Sequence, residues 1–256
     1  MKYFLLFILL LSAVIPVRAE ELKLADATGG APLEVFLRAS LELSMSGRMN
    51  VEMKRLLPTA ALTALAEKKV DAVIIDRRFI RDEKTLPLAA EALVLYVNKV
   101  NPAENISKKA AWEILISPRP SWKEYNNLDF DIQRMTMKLL TPSGTLIRRL
   151  FGDREIDDEI LKVDSFSAGF AFSNSASLFF AQYVPYPPEE IKMLAVEGIA
   201  PDEKSIKSGK YPLTVRYVIA CRGEMPEKLQ VLTELLKQKK YRRQMTDSGL
   251  LVLLPE

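Results

Sequence analysis

The chain has 256 residues, 48% hydrophobic and 27% charged, with a formal net charge of +3, one cysteine and no histidine. Without histidine and with Cys221 alone, Cys/His metal sites, Ser-His and Cys-His nucleophiles and any intramolecular disulfide are excluded. Few groups remain for catalysis, so the chain reads as a non-enzyme without cofactor or bound metal.

Residues 1–19 read as an export signal: Lys2 is a positive n-region, "YFLLFILLLSAVIPV" an apolar core, and "VRA" before Glu20 a small-residue cleavage site. The apolar core is shorter than the roughly 20 residues a spanning helix needs. The sequence therefore predicts a mature chain from Glu20, periplasmic or secreted, with no stable membrane insertion. Removing residues 1–19 takes Lys2 and Arg18 with it and leaves 34 basic against 33 acidic residues, a net charge of +1. That balance offers no polyanion-binding surface, so no nucleic-acid partner is expected. It carries no oligomer signal either, and a monomer is expected.

Strands and helices alternate from there. "LKLAD" (22–26) predicts a buried strand, and "PLEVFLRASLEL" (32–43) an amphipathic helix opened by proline. "MNVEMK" (49–54) is a second strand, "TAALTALAEKK" (59–69) a helix capped by Thr59, and "VDAVII" (70–75) a third strand. A βαβαβ order this tight signals a parallel sheet covered by helices, whose ligands lie beyond the carboxyl ends of the strands. "EALVLYVN" (91–98) predicts a strand, "SKKAAWEIL" (107–115) a capped helix and "PRPSWKEYNN" (118–127) a turn-rich connection.

"MTMKLL" (135–140) is a strand leading into "TPSGTLIRRLFGD" (141–153), where Ser143, Gly144 and Thr145 stand before an apolar-periodic helix. Such a string is either a helix cap or an anion site built from N–H groups and hydroxyls. Strands are predicted at 177–184 and 191–197, a loop at 198–212, a strand at "LTVRYVIAC" (213–221), and two closing helices to about residue 249. Cys221, in an apolar run, reads as a buried thiol.

Several stretches in order resemble the type II periplasmic solute-binding proteins, and more narrowly the phosphate-binding proteins of Pst-type phosphate ABC transporters. They are "LVLYVNKVNPAENISKKAAWEIL" (93–115) with the following "SWKEY", the Ser143-Gly144-Thr145 string with Phe151, "VEGIAPDEKSIKSGKYPL" (196–213) and "MTDSGLLVLLP" (245–255). The resemblance implies an α/β, two-lobed type II fold of mixed sheets flanked by helices, joined by two chain crossings. Lobe 1 would comprise residues 20–94 and 214–256, and lobe 2 residues 95–213. The implied ligand is inorganic phosphate or a related oxyanion, delivered to an ABC permease. It also implies a carboxylate that accepts the anion's proton and an arginine that supplies charge.

Carried over residue by residue, the implied ligand contacts are Thr28, Gly29, Thr59, Arg77, Glu91, Ser143, Gly144 and Thr145. Each has a plainer reading: Thr28 as a turn residue, Arg77 as a partner of Asp76, Glu91 as a solvated strand-edge carboxylate, Ser143 and Thr145 as cap residues. The sequence departs from the family pattern at the second loop, where Pro58-Thr59-Ala60-Ala61 replaces a Ser-Gly-rich string. Asp76 stands where a serine is usual. The arginine upstream of Ser143 is missing, leaving Lys138 as the nearest cation. These departures motivate an alternative: a degenerate phosphate-binding-like module serving envelope interaction or sensing without transport.

Overall fold

The computed structural model describes residues 20–126, 128–138, 142–152 and 159–255. The expected export signal, 1–19, lies outside them. Strand β1 (Glu21–Asp26) pairs in parallel with β2 (Asn50–Arg55) and with β3 (Ala72–Asp76). Helix α1 (Ala31–Met45) and helix α2 (Pro58–Ala66) make the connections, giving the expected βαβαβ unit. Pro32 opens α1 as predicted. Leu57, not Thr59, occupies the N-cap of α2, because Pro58 takes the first helical position, where its missing N–H costs nothing.

Strand β4 (Lys84–Asn98) is longer than its apolar run suggests. Its first part, from Lys84 to Ala92, pairs with β11 (Thr214–Cys221), which also pairs with β3. Its second part, Leu93 to Tyr96, pairs with β8 (Ser177–Gln182). Beyond β8 lie β6 (Gln133–Met137) and β7 (Leu161–Val163), so the sheet runs β2-β1-β3-β11-β4-β8-β6-β7. One strand thus serves both halves of the sheet. The return crossing lies beside it: the Leu93 amide donates to the Leu213 carbonyl at 2.9 Å.

The second half carries β5 (Asn105–Ile106), α3 (Lys108–Ile116), α4 (Lys123–Asn126), α5 (Pro142–Phe151) and α6 (Phe166–Ala171). Ser107 caps α3 as expected, its hydroxyl accepting from the Ala110 amide at 3.0 Å. After β9 (Ile191–Met193) and β10 (Ala195–Val196), the segment expected as loop folds into α7 (Glu203–Ser208). Asp202 and Ser205 form a capping box there, and Gly209, at φ 75°, ends the helix in the left-handed conformation.

Helices α8 (Glu227–Lys237) and α9 (Lys239–Asp247) pack against α1, with Lys240 and the Tyr241 hydroxyl both donating to Glu42. A last strand, β12 (Leu251–Val252), returns to β4. Cys221 is buried and unpaired, as its apolar run predicts. Trp122 is fully buried with its indole N–H donating to the Ala176 carbonyl at 2.8 Å, and Phe166, Phe170, Phe179 and Tyr96 form an edge-to-face cluster. Among the described residues no helix is long and apolar enough to cross a membrane.

Candidate functional site

The carboxyl ends of β1 and β3 and the middle of β4 converge where the sheet passes from one half to the other. Asp26 ends β1 fully buried. Its Oδ1 accepts the Thr28 hydroxyl at 2.6 Å and the Thr28 amide at 3.2 Å, and its Oδ2 accepts the Gly29 amide at 3.3 Å. The aspartate thereby folds the β1–α1 loop back on itself. Gly29 sits at φ 58° and Gly30 is the N-cap of α1, with no side-chain cap. Pro32 brings no N–H and the Leu33 amide donates to the Gly30 carbonyl at 3.0 Å, so this 15-residue helix meets the loop chiefly with the positive end of its dipole.

Opposite stands Glu91, in the middle of β4 and 2% exposed, so it is not a solvated edge carboxylate. Its Oε1 accepts from Arg149 Nη1 at 3.1 Å and from the Tyr217 hydroxyl, and its Oε2 accepts from Gln182 Nε2 at 3.1 Å. Burial pushes the Glu91 carboxyl up from its ordinary range, against the opposing pull of Arg149, Tyr217 and Gln182. Burial also raises the Tyr217 hydroxyl, with the Glu91 charge adding to it.

Arg149 comes from α5. That helix is anchored by buried Leu146, Ile147 and Leu150, and Phe151 stacks on Trp112 at 5.2 Å between ring centroids. This packing turns Arg149 toward the β1–α1 loop. Its guanidinium also donates to the Tyr217 hydroxyl and lies over that ring, 5.6 Å from the centroid. A Cβ on Gly30 would lie 2.4 Å from Arg149 Nη2, so the missing side chain at Gly30 is what admits the guanidinium. Nη1 is engaged. Nη2 is buried and has no hydrogen-bond partner among the described residues.

Asp76 closes the ring of charges. It caps the turn after β3 by accepting the Arg78 amide at 2.9 Å, and it holds the Arg78 guanidinium at 2.6 and 2.8 Å. Arg78 Nη2 in turn donates to the Arg149 carbonyl at 3.2 Å, a contact across the two halves of the sheet.

Of the residues carried over from the family pattern, Thr28, Gly29 and Glu91 gather here. Thr59 lies exposed on α2, and Arg77 is exposed with Nη1 donating to the Ile80 carbonyl at 2.8 Å. Asp76 pairs with Arg78 rather than Arg77. Ser143, Gly144 and Thr145 occupy the first turn of α5, not a loop before it; the side chain of Ser143 lies outside the described residues. Lys138 pairs with Asp164. Buried Arg134 is spent on the end of α3, donating to the carbonyls of Ser117 and Pro118.

The cation of the site, Arg149, sits downstream of the Ser-Gly-Thr string. In the sequence it is marked only by its place on the polar side of an amphipathic helix. Tyr217 and Gln182 carried no sequence signal. Among the described residues there is no cluster of three or more acidic, Cys or His groups placed to hold a metal ion. Chemically the site offers the unspent Nη2 of Arg149, which carries two N–H donors, and the positive end of a helix dipole, both suited to an anion, beside carboxylates already supplied with donors.

No protein-family model matches the sequence, and no curated protein matches it. Solved structures do. The chain is similar to a protein from Planctomyces limnophilus described as a possible phosphate binding protein, with a TM-score of 0.73 at 14% identity, covering 93% of this chain and 94% of that one. It is similar to PstS from Borrelia burgdorferi, with a TM-score of 0.70 at 15% identity and coverage of 91% and 98%. It is also similar to an ABC-type phosphate transport receptor from Vibrio cholerae, with a TM-score of 0.63 at 16% identity and coverage of 90% and 99%. The chain has the two-lobed α/β fold of the type II periplasmic binding proteins, at 14–16% sequence identity to these three.

Proposed function

We propose that the protein is an extracytoplasmic solute-binding protein that captures phosphate or a similar small oxyanion between its two lobes for ABC-type uptake. The observation that carries the reading is the buried, unpartnered Arg149 Nη2 set against Gly30 at the start of α1. A guanidinium nitrogen and the positive end of a long helix dipole meet there, and each favours negative charge. Side chains on a helix tilt toward its N-terminus, which carries Arg149 toward the Ser143-Gly144-Thr145 end of α5. That turn would then supply the remaining donors.

In this reading residues 1–19 direct export and are removed, and the mature monomer delivers its ligand to a permease. Lobe 1 comprises 20–94 and 214–256, and lobe 2 comprises 95–213. No residue is assigned a catalytic role. The test is isothermal titration of the ligand-stripped protein with phosphate, sulfate and arsenate. Ser143→Ala with Thr145→Val should weaken binding at least about tenfold, since each buried donor to a charged acceptor is worth about 1.5–3 kcal/mol. Unchanged affinity, with only a lowered melting temperature, overturns the assignment of that turn.

One observation favours a second reading. Asp26, Asp76 and Glu91 already accept from internal donors, and Thr59 is exposed. A module whose cleft is filled by its own side chains would serve envelope interaction or sensing instead. Absence of binding to all three anions, with no permease and ATPase genes adjacent, selects it.

A further inference from the structure

The two edges of the Arg149 guanidinium have different fates. Nη1 is held by Glu91 and by Tyr217, while Nη2 faces Gly30 without a partner. Arginine holds an oxyanion best through two parallel N–H donors. With Nη1 engaged, an incoming anion either takes Nη2, with or without the neighbouring Nε–H, or displaces Glu91 from Nη1. In both cases it sits beside a buried carboxylate that repels it. Glu91 cannot easily turn away, because Gln182 Nε2 fixes its other oxygen at 3.1 Å. Gln182 is itself backed by Gly249, where a Cβ would come within 2.8 Å of Gln182 Oε1.

Resting on the oxyanion reading, we propose that Glu91 is an internal competitor for Arg149, so that the Glu91–Arg149 pair sets the affinity of the site instead of contributing a ligand contact. Both oxygens of Glu91 are already supplied, Oε1 by Arg149 and Tyr217 and Oε2 by Gln182, and none of those donors comes from outside the fold. Tyr217 has a share in this. Its hydroxyl lies between Arg149 and Glu91, accepting from one and donating to the other, and so takes up part of the carboxylate's demand for donors. Without that hydroxyl, Glu91 holds Arg149 harder.

The experiment is titration of wild type, Glu91→Gln, Tyr217→Phe and Arg149→Met with sulfate and with phosphate at one pH and ionic strength, each variant first checked by thermal melting. Glutamine keeps the shape and an acceptor oxygen for Arg149 but removes the charge. E91Q should bind both anions at least tenfold more tightly, Y217F should bind both several-fold more weakly, and R149M should lose binding. Should E91Q not fold, Y217F alone decides, and affinity equal to or above wild type overturns the proposal. Equal or weaker binding of either anion by E91Q overturns it too. In particular, tighter sulfate with weaker phosphate makes Glu91 a direct acceptor of the ligand's proton. If none of the four proteins binds either anion, the oxyanion reading fails and this inference fails with it; the other negative outcomes leave that reading standing.

Discussion

Removing the Arg149 side chain tests the pair without any ligand. Glu91 is 2% exposed and Arg149 16%, and their charged atoms are 3.1 Å apart. At an effective dielectric of about 20 the gross attraction is about 5 kcal/mol, offset in large part by the desolvation of both groups. Arg149→Met keeps the aliphatic packing and leaves a buried carboxylate short of its cation, a loss worth about 3–5 kcal/mol in general. Tyr217 and Gln182 still donate to Glu91, and the arginine is partly solvated, so the expected loss is near the lower end, about 3 kcal/mol. With Glu91→Gln added, the uncompensated charge disappears. The double variant should therefore regain about 2 kcal/mol relative to Arg149→Met alone. Urea denaturation at pH 7, with the slope checked for constancy, measures all four corners of the cycle. A loss below about 1 kcal/mol for Arg149→Met, or simple additivity with Glu91→Gln, would refute the claim that this buried pair is energetically coupled.

One further outcome concerns the same pair and another the aromatic cluster around Phe179. Because burial raises the Glu91 carboxyl, the folded state binds its proton more tightly than the unfolded chain does. Wild-type stability should then fall as pH rises from the ordinary value of 4.5 through the raised one, and the difference between wild type and Glu91→Gln, followed by urea titration across that window, should shrink toward acid pH. Gly169→Ala would place a Cβ 2.4 Å from two ring atoms of Phe179, which is locked among Tyr96, Phe166 and Phe170. Overpacking of this kind costs about 1–3 kcal/mol, readable as a lowered melting temperature, while anion titration should be unaffected.

Much of the fold is legible where apolar periodicity is strong. Strands β1, β3 and β11 and helices α1, α3 and α8 lie within a few residues of their predicted spans. Elsewhere the competing signal is specific. The first half of β4 carries Lys84, Pro87 and small alanines, which do not look like a strand. Pro87 falls where the β4–β11 register shifts, so the missing N–H meets a local irregularity of the ladder. Helix α7 announces itself by Asp202, Ser205 and Gly209, but its six residues are too few to show a period.

The site was half legible. Thr28, Gly29 and Glu91 come from the family pattern. Arg149 depends on Gly30, Glu91 and Tyr217, which are far away in sequence and meet it only once the sheet is complete. The same holds for the Arg78 contact to the Arg149 backbone. A local reading finds Asp76 and an arginine but not which arginine: Arg78, two residues on, reaches the carboxylate with three donors, while Arg77 turns to Ile80.

The place of β11 has a consequence for how the chain acquires its structure. Residues 214–221 lie between β3 and β4, in the middle of the first half of the sheet, yet they are among the last to be made. Until they arrive, β3 and the first part of β4 have no common neighbour, and their inner edges stay open. Such non-local closure is slow, and open edges invite pairing with other chains. A chain ending before Thr214 should thus fail to form a stable N-terminal half at all, although β1, β2, β3 and the first part of β4 all lie between Glu21 and Ala92. The fold commits only when nearly the whole polypeptide is available.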